Sequence, residues 1–296
     1  MINNYKKFFK WKSGTSSAWL KDYLEGLHKH GSAYSAWFIE NSLWEYILKD
    51  ILKLFTKSLL NCLAANRLIK SGYFTWAYTT AYYSSFFSVQ WINRFYGIAF
   101  HFIHWTNCKI VYDKNNDYFE VKSATLPKGG IHKAEFKEFY DMISANLIDL
   151  NNTFPSFSKT VFINNNPSGM DSTLRNEWNY SLDDKYFFEL GVDNDTITIE
   201  SSVFKNSHNN QILPFFKKLI NSLKKIPISN SSPFTDVIDC YELSIERLAF
   251  LYELLLLLQK SNPLFDIAFK KYLNNLENKI NKWSFSSDKD ININFF

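Results

Sequence analysis

The chain has 296 residues, of which 46% are hydrophobic and 18% aromatic, so it can bury a substantial core and global disorder is not expected. Its formal net charge of +4 is only mildly basic and does not by itself require a nucleic-acid partner. The three cysteines lie far apart, which predicts neither a disulfide framework nor a zinc site. With only nine glycines and no phosphate-cradling loop, no cofactor is expected and no metal site is assigned.

Residues 1–40 are predicted to form an N-terminal helical and basic arm region. The first twelve residues contain four lysines, including Lys6 and Lys7, and no acidic residue. A basic aromatic arm of this kind can bind phosphate or a membrane surface, and a solvated terminus is the alternative. This basic start runs into a polar stretch where the apolar core of a signal peptide would lie, so we expect a cytoplasmic protein.

Two helices are predicted next. Apolar residues recur at steps of three and four through residues 44–69, which indicates an amphipathic helix. Ser71 and Gly72 break this pattern. Residues 74–96 form the second predicted helix, and aromatic side chains lie on nearly all of its faces. A helix that is apolar all round is touched by neighbours on several sides, so we expect this one to be central.

The pattern then changes to strands. Residues 108–112 and 118–122 flank a polar turn, which predicts a β-hairpin inserted between helices. Helical spacing returns over residues 131–147. Residues 151–169 are rich in Asn, Ser and Pro and are predicted to form a loop or an insertion. A further helix is predicted over residues 172–186, with its start capped by Asp171 or Ser172.

The last third of the chain is predicted to contain another strand and two more helices. A short strand is expected at residues 196–200 and a basic amphipathic helix at residues 211–226, followed by a linker at 227–233. A long helix is predicted over residues 236–260. Its longest apolar run, residues 254–258, is far shorter than the roughly 20 residues that a membrane helix needs, so no membrane span is expected.

These elements predict a core of residues 41–226, C-terminal helices at residues 234–283 that pack on this core, and a tail at residues 284–296. The order of three helices resembles the HEPN superfamily of small helical domains. The aromatic helix ends in Gly97-Ile98, the next helix opens with Gly130-Ile131-His132, and the third carries Arg175-Asn176 and a later tyrosine. The resemblance implies a mainly α fold, a HEPN-like helical bundle with an inserted β-hairpin and additional C-terminal helices.

Many HEPN proteins are metal-independent ribonucleases. Their arginine, commonly followed by a polar residue, stabilises charge on the phosphate, and a histidine four to six residues later transfers a proton. Arg175 and Asn176 match the first part, but Tyr180 lies in the histidine window. Tyrosine titrates near pH ~10 and is a poor general base at neutral pH. For Arg175, hydrogen bonding to helix ends or to a carboxylate remains as open as a phosphate contact.

Three functional hypotheses follow. The resemblance implies a non-catalytic HEPN-like interaction module that forms a homodimer or a hetero-complex, as a subunit of a bacterial defence or toxin-antitoxin-type assembly. The alternative is a divergent metal-independent endoribonuclease in which Arg175, Asn176 and Tyr180 line a cleft and His132 supplies the proton transfer. A third hypothesis is a scaffold that binds RNA or another nucleic acid through basic residues. Its candidate residues are Lys6, Lys7, Lys217, Lys218, Lys224 and Lys225.

Overall fold

A computed structural model provides the coordinates of the chain. It describes residues 20–27, 37–39, 43–103, 105–113, 115–128, 130–146, 195–198, 223, 225–228, 235–261, 270, 272 and 274–276. This part of the chain is mainly helical and also contains antiparallel β-sheet. None of the helices that the structure describes is long and apolar enough to cross a membrane.

Two long helices form an antiparallel hairpin. A short helix, α1 (Leu20–Leu27), packs on α2 (Leu43–Lys70), and α2 is followed by α3 (Phe74–Phe95). The predicted boundaries of α2 and α3 are confirmed to within one residue. The turn between them contains Gly72 at φ 78°, a left-handed conformation that glycine adopts without steric cost. The sequence break predicted there is therefore a tight helical turn.

Small polar residues let α2 and α3 approach closely. The Ser58 hydroxyl donates to the backbone carbonyl of Ser84 at 3.0 Å, and Ser58 Oγ lies 2.7 Å from Ser88 Oγ. All three serines are buried. Their hydroxyls satisfy one another and the helix backbone, so the polar atoms are buried without an unpaired donor at this point.

The sheet that follows α3 is larger than the predicted hairpin. The predicted hairpin is confirmed as β3 (Thr106–Asp113) and β4 (Tyr118–Ser123). It is preceded by β2 (Ile98–Ile103), and β4 also pairs with β1 (Trp37–Ile39), which gives the antiparallel order β1-β4-β3-β2. The predicted hairpin is therefore part of a four-stranded sheet, and β1 shows that residues 37–39, predicted to belong to the helical and basic arm region, form a strand.

A glycine sets the sheet against the helices. Gly97 follows α3 at φ +78°, and a Cβ added there would lie 2.5 Å from the Cβ of Tyr112. The backbone therefore passes closer to β3 than any other residue type would allow. Trp44 of α2 completes the contact, since its ring lies 5.2 Å from that of Tyr112 and 4.9 Å from that of Phe119.

Two further helices pack against α3. They are α4 (Gly130–Ala145) and α5 (Thr235–Ser261), close to the predicted ranges 131–147 and 236–260. The helix α5 also contacts α2, where Asn66 Nδ2 donates to Tyr241 Oη at 2.9 Å. The largest fully buried side chains include Trp91, Tyr78, Tyr82, Tyr241, Tyr252, Phe55, Phe95, Phe119 and Phe139.

A small second sheet corrects one helix prediction. The strand β5 (Asp195–Thr198) pairs antiparallel with β6 (Lys225–Ile228). The sequence predicted a helix as far as residue 226 and a linker from residue 227. Both predictions are wrong for residues 225–228, because the backbone groups of Lys225 and its neighbours pair with β5 instead.

Candidate functional site

Most of the predicted site residues lie outside the described part of the chain. These residues are Arg175, Asn176, Tyr180, Lys6, Lys7, Lys217, Lys218 and Lys224. Lys225 is the first residue of β6, and His132 lies in the first turn of α4. Because Arg175 lies outside the described residues, the structure gives no distance between Arg175 and His132.

His132 is held in an aromatic environment. Its Nδ1 atom lies 2.7 Å from the hydroxyl oxygen of Tyr82. The imidazole stacks on the ring of Phe86 at a centroid distance of 3.9 Å and an interplanar angle of 7°, and Tyr83 meets it edge-on. The side chain is half-buried. This geometry fixes the orientation of the ring and assigns one of its two nitrogens to Tyr82.

One turn further along α4, Glu135 is fully buried and accepts hydrogen bonds from α3. Asn93 Nδ2 donates to its Oε2 atom at 2.7 Å and to its backbone oxygen at 2.8 Å. Gln90 Nε2 and Arg94 Nη1 each donate to Oε1 at 3.3 Å. We call Gln90, Asn93, Arg94, Glu135, Asp50 and His101 the buried charge cluster.

Asp50 of α2 and His101 of β2 form the outer edge of the buried charge cluster. Asp50 Oδ2 lies 3.7 Å from both Arg94 Nε and His101 Nε2. The side chains of Asp50 and His101 are each 15% exposed, whereas that of Arg94 is 4% exposed. The guanidinium of Arg94 thus lies between two carboxylates, with the more exposed pair on its solvent side.

Burial dominates the titration of this cluster. It raises the pKa of Glu135, and Arg94 and the hydrogen bond from Asn93 oppose that rise. It also raises the pKa of Asp50, again opposed by Arg94. Burial lowers the pKa of His101 from 6.5 to about 3, and the positive charges of Arg94 and Lys21 add to the effect. His101 is therefore neutral at physiological pH.

The geometry of the buried charge cluster suits a structural contact between elements better than a reaction with a substrate. Both oxygens of Glu135 accept hydrogen bonds from neighbouring side chains, and the carboxylate is sealed from solvent. Buried ionic groups of this kind are costly unless they are paired and hydrogen-bonded. We interpret the cluster as the fixed polar contact between α2, α3, α4 and β2.

A second buried cation, Arg247, contacts α4 from α5. Arg247 of α5 donates hydrogen bonds to the hydroxyl oxygens of Ser85 and Tyr140. Its guanidinium also lies 5.5 Å from the ring centroid of Phe136 and 5.4 Å from that of Phe139. Cations over aromatic faces gain electrostatic stabilisation in a desolvated site. This contact ties α5 to both α3 and α4.

Large aromatic side chains are exposed at two places. Trp105 is 91% exposed in the turn between β2 and β3, and Phe102 beside it is 48% exposed. Trp76 is 61% exposed in the first turn of α3, and Tyr73 directly before this helix is 49% exposed. Trp105 has φ 67°, an unusual backbone conformation for a bulky residue. These residues form the accessible apolar surface of the described part.

No metal centre is present among the residues that the structure describes, since no group of three or more His, Cys, Asp or Glu side chains could hold an ion there. The sequence assigned no metal site either. Cys108 pairs with His101 across β2 and β3, but its thiol is buried and lies 3.8 Å from the backbone oxygen of Thr106. Burial also raises the pKa of Cys108, which disfavours the thiolate that binds metals.

The buried charges were not predicted from the sequence. Arg94 is the one charged residue within Phe74–Phe95, a helix that is otherwise largely aromatic, apolar or small. A lone cation in a helix that is apolar all round must find a buried partner. That pattern could have identified Arg94, but not Glu135, which lies 41 residues away.

Searches with this chain find no matching protein-family model, no matching curated protein and no matching solved structure. The HEPN-like resemblance therefore stays a prediction from the residues that carry it.

Proposed function

We propose that this chain is a HEPN-like helical interaction module that binds another protein chain and does not catalyse a reaction. The observation that carries the proposal is the exposure of Tyr73, Trp76, Phe102 and Trp105, whereas the other aromatic rings with described burial are buried or half-buried. Tryptophan and tyrosine are the residues most enriched at binding hot spots. Exposed apolar patches commonly mark interaction sites, and these residues form two pairs, one at the start of α3 and one at the β2–β3 turn.

Two further points support a non-catalytic module. Both oxygens of the buried Glu135 carboxylate accept hydrogen bonds from Gln90, Asn93 and Arg94, so this carboxylate is not presented to a substrate. Tyr180 in place of histidine removes the usual proton-transfer group from the Arg175 motif. The antiparallel pair α2 and α3, with α4 and α5 packed on α3, is consistent with the helical bundle that the resemblance implies.

The test combines association and cleavage. Native mass spectrometry of the purified protein is expected to find a second chain at a fixed stoichiometry, and replacement of all four exposed aromatic residues by serine should remove it. A labelled mixed RNA pool should stay intact with chelator present. A protein that is always alone and that cleaves this RNA, with cleavage abolished by Arg175→Ala, would contradict the proposal.

The second candidate is a metal-independent endoribonuclease that uses Arg175, Asn176, Tyr180 and His132. The observation in its favour is the orientation of His132, whose Nδ1 is held by Tyr82 while its ring stacks on Phe86. An oriented imidazole suits proton transfer. This candidate predicts chelator-resistant cleavage that His132→Gln and Arg175→Ala both abolish, whereas Tyr82→Phe lowers it by freeing the ring.

A further inference from the structure

The hairpin of α2 and α3 carries basic residues but no acidic residue after Asp50. Residues 51–112 contain no aspartate or glutamate, although the chain has 29 acidic residues among its 296. This stretch covers the greater part of α2, all of α3 and the strand β2. Its exposed basic residues are Lys53, Lys57, Arg67 and Lys70. The charge that the hairpin itself presents to solvent is therefore positive only.

Two of these cations lie with two aromatic residues at the closed end of the hairpin. Arg67 and Lys70 belong to the last turn of α2, and Tyr73 and Trp76 lie at the start of α3. All four residues are exposed. Packed helices lie about 8–10 Å apart and rise about 1.5 Å per residue, so the four fall within an area roughly 15 Å across. We call them the turn patch.

The turn that joins the two helices is held by its own backbone. The amide of Tyr73 donates to the backbone oxygen of Leu68 at 2.9 Å, and that of Gly72 donates to the backbone oxygen of Ile69 at 3.0 Å. This pair of bonds is the Schellman motif that ends many helices, with glycine at the left-handed position. A surface that is already ordered loses less conformational entropy when it binds a partner.

Helix dipoles explain only half of the charge pattern at this turn. Cations in the last turn of α2 are favourable, because the C-terminal end of a helix carries partial negative charge. The same rule favours Asp or Glu in the first turn of α3, and this turn contains neither. Tyr73 at the N-cap position makes no side-chain capping bond either. The hairpin therefore supplies no negative charge of its own beside the turn patch.

The acidic residues of α5 face another side of α3. Cys240 Sγ of α5 lies 3.9 Å from the backbone oxygen of Tyr78, which is buried. Trp76 lies two residues before Tyr78, about 200° around the helix, and is therefore on the opposite side. Asp239 and Glu242 flank the Cys240 contact on α5. They lie beside the covered face of α3 and not beside the face that carries Trp76.

We propose that the turn patch binds an acidic segment of a partner protein that also carries aromatic or leucine side chains. The inference rests on the proposed interaction module and names the chemistry of its partner. Carboxylates of the segment pair with Arg67 and Lys70, and its apolar side chains cover Tyr73 and Trp76. A second copy of the same patch does not fit, because it would bring like charges together.

The composition of the turn patch favours a protein over a nucleic acid. Trp, Tyr and Arg are the residue types most enriched at protein hot spots, and the patch contains all three. Nucleic-acid binding draws its affinity from many phosphate contacts, on the order of 6–10 for a DNA-binding protein. Two cations at the turn, on a chain with a net charge of only +4, suit a short acidic segment better.

Fluorescence anisotropy with two labelled peptides tests the proposal. The acidic probe alternates Asp or Glu with Phe or Leu, and the amide probe has the same sequence with Asn and Gln in place of the acids. The wild type is expected to bind the acidic probe about tenfold more tightly, because charge-assisted pairs form only with carboxylates. High salt should reduce this preference, since exposed charge pairs are screened.

Three variants separate the charged contacts from the apolar ones. Arg67→Gln with Lys70→Gln should weaken binding of the acidic probe about tenfold and leave the amide probe unchanged. Trp76→Ser should weaken both probes alike, because it removes apolar contact and no charge. Lys53→Gln with Lys57→Gln is the matched control, since it removes two exposed cations of the same helix beyond the screening length from the turn. Circular dichroism of each variant checks that the fold is kept.

Equal affinity of the wild type for the two probes would overturn the inference. So would a preference that the Lys53 and Lys57 variant loses and the Arg67 and Lys70 variant keeps. Tighter binding of a labelled single-stranded RNA than of the acidic probe, lost in the Arg67 and Lys70 variant, would assign the patch to nucleic acid instead. Native mass spectrometry separates this inference from the proposed function. A second chain that stays bound to the Arg67 and Lys70 variant overturns the inference alone.

Discussion

The two ends of α3 differ in what they bury. Near its N-terminal end Trp76 is exposed on an uncharged face, whereas near its C-terminal end Arg94 is buried between the carboxylates of Glu135 and Asp50. An exposed tryptophan and a buried cation are both unusual, and for opposite reasons. The buried charges fix contacts within the chain, and the exposed aromatics are free to make contacts outside it.

The largest effect is expected at the buried end. Replacing Arg94 by methionine keeps most of the side-chain volume but leaves the Glu135 carboxylate buried without its cation. Breaking a buried ion pair from one side costs about 3–5 kcal/mol of the free energy of unfolding. Urea denaturation of Arg94→Met and wild type measures this loss. A loss below about 1 kcal/mol, the usual contribution of an exposed ion pair, would mean that Glu135 is not held ionised by Arg94.

Arg247→Met tests whether Arg247 contributes as much as Arg94 to the free energy of unfolding. Arg247 lies over the rings of Phe136 and Phe139, and it donates hydrogen bonds to the hydroxyl oxygens of Ser85 and Tyr140. Methionine also packs well against aromatic rings. We expect a loss of about 2 kcal/mol, smaller than for Arg94→Met. Equal losses for the two variants in the same urea experiment would remove the distinction between them.

The third effect is the fall in the free energy of unfolding that protonation of His101 is expected to cause. Its folded-state pKa of about 3 lies below the ordinary value of 6.5, so the unfolded chain binds the proton more readily. The stability gained from keeping the buried imidazole neutral is present above pH ~6.5 and is lost as the pH falls towards 3. Between these limits the free energy of unfolding should fall by about 1.4 kcal/mol per pH unit from this residue.

His101→Gln isolates that contribution. Burial raises the pKa of Asp50 and Glu135, so their protonation on acidification acts in the opposite direction and adds stability. Both carboxylates are retained in the variant, so the difference between wild type and His101→Gln reports the histidine. Parallel pH profiles of the two proteins from pH 7 to 5 would show that His101 is not buried as the fold places it.

The helices of this chain could be predicted because their pattern is local. Steps of three and four apolar residues predicted α2 and α3 to within one residue, and Gly72 marked the turn between them. The β-strand β1 could not be predicted in this way, because it has three residues and pairs with β4, about 80 residues away. Residues 225–228 were predicted to be helix and linker for the same reason, since their strand depends on pairing with β5.

The candidate site was predicted less well than the fold. His132 was identified, but its contacts with Tyr82 and Phe86 come from another helix and left no mark on its own segment. The buried charge cluster joins residues of four elements, so spacing along the chain does not reveal it. The exposure of Trp76 and Trp105 could not be predicted either, because both lie in aromatic stretches that also contain buried rings such as Phe74 and Phe100.

The smallest effect is expected at an exposed aromatic residue. Trp105 has φ 67°, a left-handed conformation that costs residues with a Cβ roughly 1–2 kcal/mol and glycine nothing. Because Trp105 is 91% exposed, its removal leaves no cavity. Trp105→Gly should therefore unfold at higher urea than Trp105→Ala, with a difference of about 1 kcal/mol after the flexibility of the unfolded glycine chain is included.

Comparing these two variants isolates the effect of backbone conformation on the free energy of unfolding, since both lack the indole and differ only in the Cβ atom. A glycine variant no more stable than the alanine variant would mean that the β2–β3 turn does not hold residue 105 at positive φ. The expected gain means instead that tryptophan is kept at this position against the preference of the turn. A bulky ring kept in a strained and solvated position fits the proposal that Trp105 contributes to binding another protein chain.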